Sequence, residues 1–587
     1  MADPVRIANC SGFFGDRLSA AREMVEGGPI DVLTGDWLAE LTMLILAKKR
    51  AKRPAGGYAQ TFVKQMEDVM GHCLEKGIKV VSNAGGLDPD GCADAVAAVA
   101  QKLGLHPKIA FVTGDDLLPD IGERVARGEV RHFQTGEPIT DASSYMTANA
   151  YIGCWGIVDA LDQGADIVIT GRATDAAIVC GPAAWHHGWE RTDYDQLAGA
   201  VAAGHVIECS TQATGGNYSF FHEIPNMIHP GFPWAEIADD GSSVIGKHDG
   251  TGGAVNVGTV TSQLLYEIGS PAYLGPDVTA RFDTIELEEV APDRVRMSGI
   301  RGEAPPETLK VCINKAGGFR ADVNICLTGL DIEQKAALIE EAFWAANPFS
   351  PEDYAFVKTR LLRNDKEDPS SNEQGVAIWR CSVKDPEERK VGRAFSNAMI
   401  ELALSSIPGF FGIGSGPGPG RPYGVLETAV VPSDTVPMSV TMLGMGGSSH
   451  EVSSVIPRRE TEIPPPAPGT TGLPGGTTRQ LPLGTLFGAR SGDKGGNANL
   501  GIFARNDACW EFLDAFLTEE KLKELLPEAR ELRVDRFRMP AIRSLNFVLH
   551  GFLEEGVAAS TRQDPQAKSL GEWLRAREVD LPEALLS

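Results

Sequence analysis

The sequence has few of the features that mark membrane-spanning or secreted proteins. Its ten cysteines lie singly and form no CxxC pair, so neither a zinc ribbon nor a disulfide framework is indicated. Its apolar runs are short, and LTMLILA at 41–47 is far below the roughly 20 residues that span a bilayer. The N-terminus has no basic stretch followed by an apolar one, so no signal peptide is expected. We therefore expect a cytoplasmic protein without membrane attachment.

Basic residues are also scarce. The 587 residues include 54 Lys and Arg against 79 Asp and Glu, which gives a formal net charge of −25. Nucleic acids and anionic membranes bind to basic surfaces, so neither is an expected partner. A small anionic substrate is compatible with this charge if local arginines and backbone amides hold it. The hydrophobic content of 42% and charged content of 23% indicate a folded globular protein.

Glycine, in contrast, is abundant, at 66 residues or about one in nine. Many of these glycines follow apolar strand-like runs and precede helical ones, as in VRIANCSGFFGDRLSAAREMV, KVVSNAGGLDPDG, KIAFVTGDDLLPD and ADIVITGRATDAA. Strands that alternate with helices favour a parallel sheet with helices on both faces. The pattern therefore predicts an α/β, Rossmann-like part over residues 1–204, with a mostly parallel, doubly wound sheet.

The rest of the chain has a different organisation. Strand-like runs dominate after residue 204, which predicts a mixed α+β part over 205–460. The segment IPPPAPGTTGLPGG at 463–476 has five prolines and four glycines and indicates a linker over 461–480. Residues 481–587 then show two strands, a helix, extended chain and a terminal helix. This order predicts a small α+β domain.

Ligands of open α/β sheets bind beyond the carboxyl ends of the strands, so the loops there are candidate sites. In NAGGLDPDG, Asn83, Gly85 and Gly86 would let a ligand approach the backbone, and capping of the next helix is the alternative. In TGRATD, Arg172 would lie beside a helix N-terminus, where a phosphate or carboxylate binds well. The alternative is an ion pair between Arg172 and Asp175 that only ties the loop.

Two further loops combine polar side chains with glycines. ECSTQATGGN contributes Gly216 and Asn217 as candidate binding residues, and its Cys209 is either a nucleophile or a small core residue. KHDGTGG places His248 next to Asp249, which suggests a catalytic base and its neighbour. Adjacent residues usually point apart, so this pair predicts no contact between the two side chains.

The segment GIGSGPGPGRPYG at 412–424 has an unusual density of glycine and proline. This composition predicts a bent loop with exposed backbone N–H groups, in which Ser415, Gly416 and Arg421 would bind an anion. A purely structural crossover is the alternative. The segment has no Lys-Ser/Thr ending, so it is not a Walker phosphate loop.

The strongest chemical candidate is SGDKGGNANLG at 491–501. Asp493 would accept a proton, and Lys494 would stabilise charge or clamp a ligand. Gly495, Asn497 and Asn499 would supply close backbone approach and hydrogen bonds to a ligand. A plain hairpin turn is the alternative. No spacing compels a metal site, so we assign no metal ligands and leave the cofactor open.

Together VRIANCSGFFGDR, NAGGLDP, TGRATDAA, GSGPGPGRPYG and SGDKGGNANLG resemble segments of the acyclic terpene utilisation protein AtuA family, over nearly the whole chain. The resemblance implies a large N-terminal domain followed by a small ferredoxin-like domain. It also implies a setting in the breakdown of citronellol, geraniol and branched acids through acyl-CoA intermediates.

Two functional hypotheses follow from the resemblance and the loops. The first is an enzyme that acts on an acyl-CoA thioester or related carboxylate by hydration, C–C lyase chemistry or hydrolysis, as a homo-oligomer. Its cofactor stays open, and the CoA-linked substrate could be sufficient. The second is a non-catalytic scaffolding subunit for acyl-CoA carboxylase partners. A nicotinamide enzyme is weaker, because SGFFG at 11–15 is an incomplete dinucleotide fingerprint.

Overall fold

A computed structural model of the protein describes residues 3–53, 56–413, 418–444, 449–452, 457–459, 464–465, 467 and 476–586. The chain divides into two compact units. The first unit comprises Met1–Asn314 and Leu426–Ser587, and the second comprises Lys315–Val425. No helix within the described ranges is long and apolar enough to cross a bilayer.

The elements are numbered in chain order. The helices are α1 Ala20–Gly27, α2 Glu40–Lys52, α3 Gln60–Lys76, α4 Pro89–Leu103, α5 Ile121–Ala126, α6 Trp155–Asp162, α7 Ala177–His187, α8 Tyr194–Ile207, α9 Val257–Leu264, α10 Ile332–Ala346, α11 Phe395–Glu401, α12 Asp507–Phe516, α13 Glu519–Leu525 and α14 Leu570–Arg575. The strands are β1 Val5–Asn9, β2 Val32–Gly35, β3 Lys79–Ser82, β4 Ile109–Thr113, β5 Arg131–His132, β6 Tyr145–Ala150, β7 Ile167–Thr170, β8 Pro233–Ile237, β9 Ser243–Lys247, β10 Ala272–Leu274, β11 Thr279–Arg281, β12 Glu286–Ala291, β13 Arg294–Ser298, β14 Arg301–Glu303, β15 Thr308–Thr328, β16 Phe356–Leu362, β17 Val376–Asp385, β18 Phe411–Gly412, β19 Arg421–Pro432, β20 Met438–Met442, β21 Ser449–Val452, β22 Thr478–Pro482, β23 Phe487–Lys494, β24 Asn497–Ala504, β25 Val534–Met539, β26 Ser544–Leu549 and β27 Glu578–Pro582.

The first unit is built on a large mixed sheet with the order β12-β13-β9-β8-β1-β2-β3-β7-β4-β20-β21. The central strands β1, β2, β3, β7 and β4 run parallel, as the strand–loop–helix pattern predicts. On both sides the sheet continues with antiparallel strands. The expectation of a mostly parallel, doubly wound sheet is therefore not confirmed: four neighbouring pairs within the described sheet are parallel and six are antiparallel.

Helices cover both faces of the parallel centre. Alternate residues of a strand point to opposite faces, and Ile7 and Ala8 of β1 accordingly enter different hydrophobic cores. The core of Ile7 includes α6, α7 and α8, and the core of Ala8 includes α1, α3 and α4. Since β8 pairs with β1, the sheet continues past the predicted boundary near residue 205.

The C-terminal part of the first unit has its own small sheet, with the order β23-β24-β26-β25 and antiparallel pairing throughout. Helices α12, α13 and α14 pack on it around a core that includes Leu500, Phe547 and Leu574. The sequence order of two strands, a helical stretch, extended chain and a final helix matches this arrangement. Strand β22 pairs with β27 near the end of the chain.

The second unit is an antiparallel sheet in the order β16-β17-β15, with β18 paired to the other side of β15. Helices α10 and α11 contribute to its core, in which Phe343 contacts Trp379 and Phe395 at ring-centroid distances of 5.3 and 5.2 Å. Strands β15 and β19 carry the chain into and out of this unit.

Candidate functional site

Arg172 lies at the carboxyl edge of the parallel strands, just after β7. Its Nη1 donates a hydrogen bond to the carbonyl oxygen of Leu38 at 2.6 Å and lies 2.8 Å from the Asp175 carboxylate. The guanidinium also lies over the ring of Tyr151, 4.2 Å from its centroid. Arg172 is only 2% exposed. The ion pair with Asp175 is thus present, on an arginine buried where a ligand of the sheet would bind.

A rigid loop holds Arg172 in place. Asp115, which follows β4, accepts hydrogen bonds from the backbone N of Arg172 at 2.8 Å and from Nδ2 of Asn149 at 2.9 Å. Burial raises the pKa of Asp115 to about 6. A Cβ atom at Gly171 would lie 2.3 Å from the Asp115 carboxylate, so only glycine fits there.

Asn83 supports the neighbouring loop. Its Oδ1 accepts a hydrogen bond from the backbone N of Trp37 at 2.8 Å, and its Nδ2 donates to Asp36 at 2.5 Å. These bonds fix the segment that carries the Leu38 carbonyl, the acceptor for Arg172. Burial and the nearby charge of Asp175 raise the pKa of Asp36 well above its usual range. Asn83 therefore acts here as a positioning residue.

Gly85 and Gly86 have packing roles in the loop after β3. A Cβ atom at Gly85 would lie 2.5 Å from the carbonyl oxygen of Thr170, the last residue of β7. Gly86 has a φ of +55°, a left-handed conformation that favours glycine. Their predicted role in substrate binding stays a prediction.

His205 and Glu208 form a buried pair at the end of α8, with exposures of 2% and 7%. Nδ1 of His205 lies 3.3 Å from Oε1 of Glu208, without the geometry of a hydrogen bond. Burial lowers the pKa of His205 to about 4, so its imidazole is neutral at neutral pH. Burial, together with the charges of Asp175 and Glu267, raises the pKa of Glu208 well above its usual range. Burial thus favours the neutral form of both side chains, the imidazole of His205 and the carboxyl group of Glu208.

The C-terminal domain completes the site through its β23–β24 hairpin, whose turn is Gly495 and Gly496. Nζ of Lys494 donates to the carbonyl oxygen of Glu267 at 2.7 Å, and Oδ1 of Asn499 accepts from the backbone N of Glu267 at 2.8 Å. Glu267 has a φ of +55°, an uncommon conformation for a residue with a side chain. Lys494 and Asn499 thus hold Glu267 in a strained conformation beside the pair on α8.

The other predicted residues of this hairpin lie at its rim or inside the domain. Oδ1 of Asn497 accepts a hydrogen bond from the backbone N of Gly551 at 2.9 Å. Asp493, with a side chain 13% exposed, lies 3.9 Å from Nζ of Lys568, which also pairs with Glu267 at 3.1 Å. The predicted loop is in fact two strands with a two-residue turn, so Asp493 and Asn497 lie at strand ends.

The charges of the two domains act on the same groups. After burial, the ammonium of Lys494 is the next cause that lowers the pKa of His205. The Glu267 carboxylate contributes to the raised pKa values of Glu208 and Tyr273. We call the following residues the acid–base cluster: Arg172, Asp175, His205, Glu208, Gln263, Glu267 and Lys494.

Several buried atoms of the acid–base cluster have no hydrogen-bond partner among the described residues: Arg172 Nε, both ring nitrogens of His205, Glu208 Oε2 and Gln263 Oε1. Buried polar atoms in proteins are nearly always paired, and each unpaired one costs about 1–3 kcal/mol. Their concentration in one place indicates that a polar ligand or water completes the set.

His248 and Asp249 are not brought into this cluster. Nε2 of His248 bonds to the carbonyl oxygen of Met24 at 3.0 Å, and burial lowers the pKa of His248. Asp249 is 94% exposed and pairs with Arg294 at 3.0 Å. The two neighbours therefore point apart, and His248 packs against α1.

The remaining predicted residues lie elsewhere. Gly216 belongs to a turn, and Asn217 is exposed with a φ of +59°. Arg421 begins β19 in the second unit and is exposed. Ser415 and Gly416 lie outside the described residues. Across the described ranges, no group of three or more His, Cys, Asp or Glu residues is placed to hold a metal ion.

Sequence reasoning missed His205, Glu208 and Glu267. A signal for the first two exists: an His-x-x-Glu spacing at the end of α8, whose residues from Leu197 to Ile207 are all buried. Two ionisable groups on such a helix are rare without a function. Glu267 has no local signal, because Lys494 and Asn499, more than 200 residues away, define its conformation.

The fold and site define a two-part α/β protein whose C-terminal α+β domain closes a buried acid–base site. A family model described as acyclic terpene utilisation family protein AtuA matches residues 5–442, and one described as AtuA ferredoxin-like domain matches residues 481–580. The chain belongs to the acyclic terpene utilisation AtuA family, as its sequence motifs indicate. No curated protein and no solved structure matches it. Family membership implies a part in acyclic terpene utilisation.

Proposed function

We propose that the protein is an enzyme that transfers protons to and from an acyl-CoA thioester, or a related carboxylate, in acyclic terpene or branched-chain acid catabolism. One observation carries the proposal: the imidazole of His205 and the carboxyl group of Glu208 are buried together 3.3 Å apart, with unpaired hydrogen-bonding atoms around them and pKa values shifted in opposite directions. Paired groups with oppositely shifted pKa values are typical of acid–base catalysis.

Hydration of an α,β-unsaturated thioester uses this pair most directly. His205 accepts a proton from water as the water oxygen bonds to the β-carbon, and the thioester becomes an enolate. Glu208 then donates its proton to the α-carbon, and the carbonyl re-forms. The cations of Lys494 and Arg172 stabilise the negative charge that develops on the thioester oxygen. Lyase and hydrolase reactions would use the same residues, but hydration needs both members of the pair in their resting protonation states.

The proposal makes the site dependent on both domains. Lys494 and Asn499 belong to the C-terminal domain, and both bind the backbone of Glu267. The acidic net charge argues against nucleic-acid partners, and a cytoplasmic location stays a prediction. A homo-oligomeric state stays a prediction.

The test is to incubate the purified full-length protein with a panel of saturated and unsaturated branched acyl-CoAs in deuterated water and to follow the products by mass spectrometry. We expect addition of water to an unsaturated member and deuterium at its α-carbon. Glu208→Gln should abolish both, and Glu129→Gln, which alters a half-buried glutamate paired with Arg127, should not. Absence of turnover and of deuterium exchange across the whole panel would contradict the proposal.

A second candidate function is a binding or scaffolding subunit for acyl-CoA carboxylase partners. Exposed apolar side chains of the second unit favour it: Ile400, in the last turn of α11, and Leu404, in the 3-10 turn that follows, are 59% and 101% exposed. Recovery of a carboxylase with the tagged protein from producing cells, lost in the Ile400→Ser/Leu404→Ser variant, would support it. Recovery of no partner, together with turnover by the purified chain, would exclude it.

A further inference from the structure

The C-terminal half of α2 carries a dense group of cations in this acidic protein. Lys48, Lys49, Arg50, Lys52 and Arg53 occupy five of six consecutive positions. We call them the basic end of α2. Lys49, Arg50, Lys52 and Arg53 are exposed, and none of these four forms a salt bridge with any residue that the structure describes. Some basic residues on other helices are paired, as Arg22 is with Asp68 and Lys102 with Glu67.

The basic end of α2 lies at the same edge of the sheet as the acid–base cluster. Nη1 of Arg50 donates to the carbonyl oxygen of Leu87, in the loop after β3, at 3.1 Å. Burial raises the pKa of Asp116, just after β4, and the charge of Arg50 opposes this shift. The other end of α2 follows Leu38, whose carbonyl oxygen binds Arg172. The 13 residues of α2 span about 20 Å.

Aromatic side chains adjoin these cations. Nζ of Lys49 lies over the ring of Phe14, 4.0 Å from its centroid, and the neighbouring Phe13 is 54% exposed. Both belong to the SGFFG loop that follows β1. A lysine stacked on the ring of Phe14, in a loop that also exposes the ring of Phe13, suits a ligand that has both a flat base and phosphate groups.

The helix dipole gives another reason for cations at this position, because the C-terminus of a helix is partially negative. Lys49, Arg50 and Lys52 lie in the last turn of α2, so the dipole accounts for part of their placement. It does not explain why none of the four exposed cations forms a salt bridge with an acidic residue that the structure describes. The net charge of −25 repels an anionic substrate, so binding one requires a local group of cations.

We propose that the basic end of α2, with Phe13 and Phe14, binds the phosphorylated adenosine of a CoA thioester. The pantetheine arm then runs along α2 toward Arg172, over a distance that such an arm covers when extended. The inference rests on the proposed function for the identity of the thioester. It adds where the other end of that substrate is held.

The test is calorimetric binding of CoA, adenosine 3′,5′-bisphosphate and pantetheine to the full-length protein and two variants. Lys52→Gln/Arg53→Gln removes two cations of the basic end. Lys64→Gln/Arg479→Gln removes one exposed lysine and one exposed arginine elsewhere and changes the net charge equally. We expect the first variant to bind CoA and the bisphosphate about tenfold more weakly or worse, with pantetheine unaffected. The control variant should bind all three as the unmodified chain does.

Three outcomes would overturn the inference: equal weakening by both variants, CoA binding no tighter than pantetheine, or no change in the first variant. Turnover of a pantetheine thioester keeps the two proposals distinguishable. If the pantetheine thioester is turned over but Lys52→Gln/Arg53→Gln binds CoA as tightly as the unmodified chain, the proposed function stands and only the binding site fails. If CoA binds through the basic end but no thioester is turned over, the binding site stands and the proposed function fails.

Discussion

Two groups of buried charges in the first unit differ in how completely they are paired. In the C-terminal domain, Asp514 accepts hydrogen bonds from Arg536 at 2.7 Å and from Arg538 at 2.6 Å, and Arg536 also donates to the Leu517 carbonyl at 3.0 Å. No buried side-chain atom of these three charged residues is among those without a partner in the described chain. In the acid–base cluster, by contrast, several buried atoms have none.

The pKa values of the two carboxyl groups differ accordingly. Burial alone would raise the pKa of Asp514, but hydrogen bonds from Arg538 and Arg536 lower it below its usual range. Burial raises the pKa of Glu208, and nearby carboxylates raise it further. A fully paired network stabilises the fold, whereas a partly paired one is costly and persists where a ligand or a reaction needs it. Asp514 should therefore matter for stability and Glu208 for activity.

The largest effect is expected from Glu208→Gln. The amide keeps the shape of the side chain but has no proton to donate, so turnover should fall by roughly 10²–10⁴-fold. The free energy of unfolding should stay the same or rise, because a costly buried acid is removed. Steady-state turnover and urea unfolding measure the two effects, with Glu129→Gln as the matched control. If Glu208→Gln instead lowers the free energy of unfolding and leaves the activity per folded molecule unchanged, Glu208 matters for stability and not for activity.

Asp514→Ala should have the opposite profile. It leaves the buried Arg536 and the half-buried Arg538 without their carboxylate, which should reduce the free energy of unfolding by about 3–5 kcal/mol. Turnover by the fraction that stays folded should be unchanged. Asp507→Ala is the control: it removes an exposed carboxylate paired with Arg543, and we expect a loss of at most about 1 kcal/mol. If urea unfolding shows the same loss of stability in both variants, the Asp514 network contributes no more to the free energy of unfolding than an exposed ion pair does.

His205 should make stability depend on pH. The unfolded chain binds a proton at His205 near pH 6.5, and the folded chain binds it only near pH 4. The folded state is therefore favoured above pH 6.5, and this contribution, up to about 3 kcal/mol, is lost as the pH falls from 6.5 to 4. The free energy of unfolding, measured across this pH range, should depend less on pH in His205→Gln than in the unmodified chain. In His72→Gln, which alters an exposed histidine, the pH dependence should be unchanged. An identical slope in the His205 variant would contradict the low pKa.

Lys494→Met should have the smallest of these effects. It removes the hydrogen bond to Glu267, worth about 1 kcal/mol of stability, and a charge that stabilises the reaction, worth roughly 100-fold in turnover. Since the Lys494 charge lowers the pKa of His205, its loss should also move the acid limb of the pH–rate profile to higher pH. Lys521→Met, in a lysine paired with Glu524 on α13, is the control. If turnover falls but the acid limb of the pH–rate profile does not move, Lys494 has only a structural role.

Features that depend on neighbouring residues were predictable from the sequence. The strand before TGRATD is continuous and apolar, which placed Arg172 at the sheet edge, and the glycines of 491–501 indicated a turn between two strands, with a plain hairpin as the alternative to a ligand-binding loop. The antiparallel extensions of the sheet were not predictable, because they pair β8 with β1 and β20 with β4 across more than 200 residues. Strand propensity alone does not reveal which neighbour a strand selects.

The residues of the candidate site also depend on contacts between distant parts of the chain. The glycine-rich segment indicated Lys494 and Asn499 as candidate residues. The conformation of their partner Glu267, however, depends on docking of the C-terminal domain. His248 has the residue type of a catalytic base, yet packing against Gly27, the last residue of α1, and Gly28 after it buries His248 away from the cluster. Residue type indicated the chemistry, and only the tertiary contacts indicated which residues share a site.

The most direct test of the account is the protonation state of Glu208 at neutral pH, measured by infrared difference spectroscopy of the unmodified chain against Glu208→Gln. We predict a carboxylic-acid C=O band at pH 7 that is present in the unmodified chain and in Glu129→Gln and is missing in Glu208→Gln. If the Glu208→Gln difference spectrum instead shows only the loss of ionised carboxylate bands, Glu208 is not the proton donor. The proposed acid–base pair would then be contradicted.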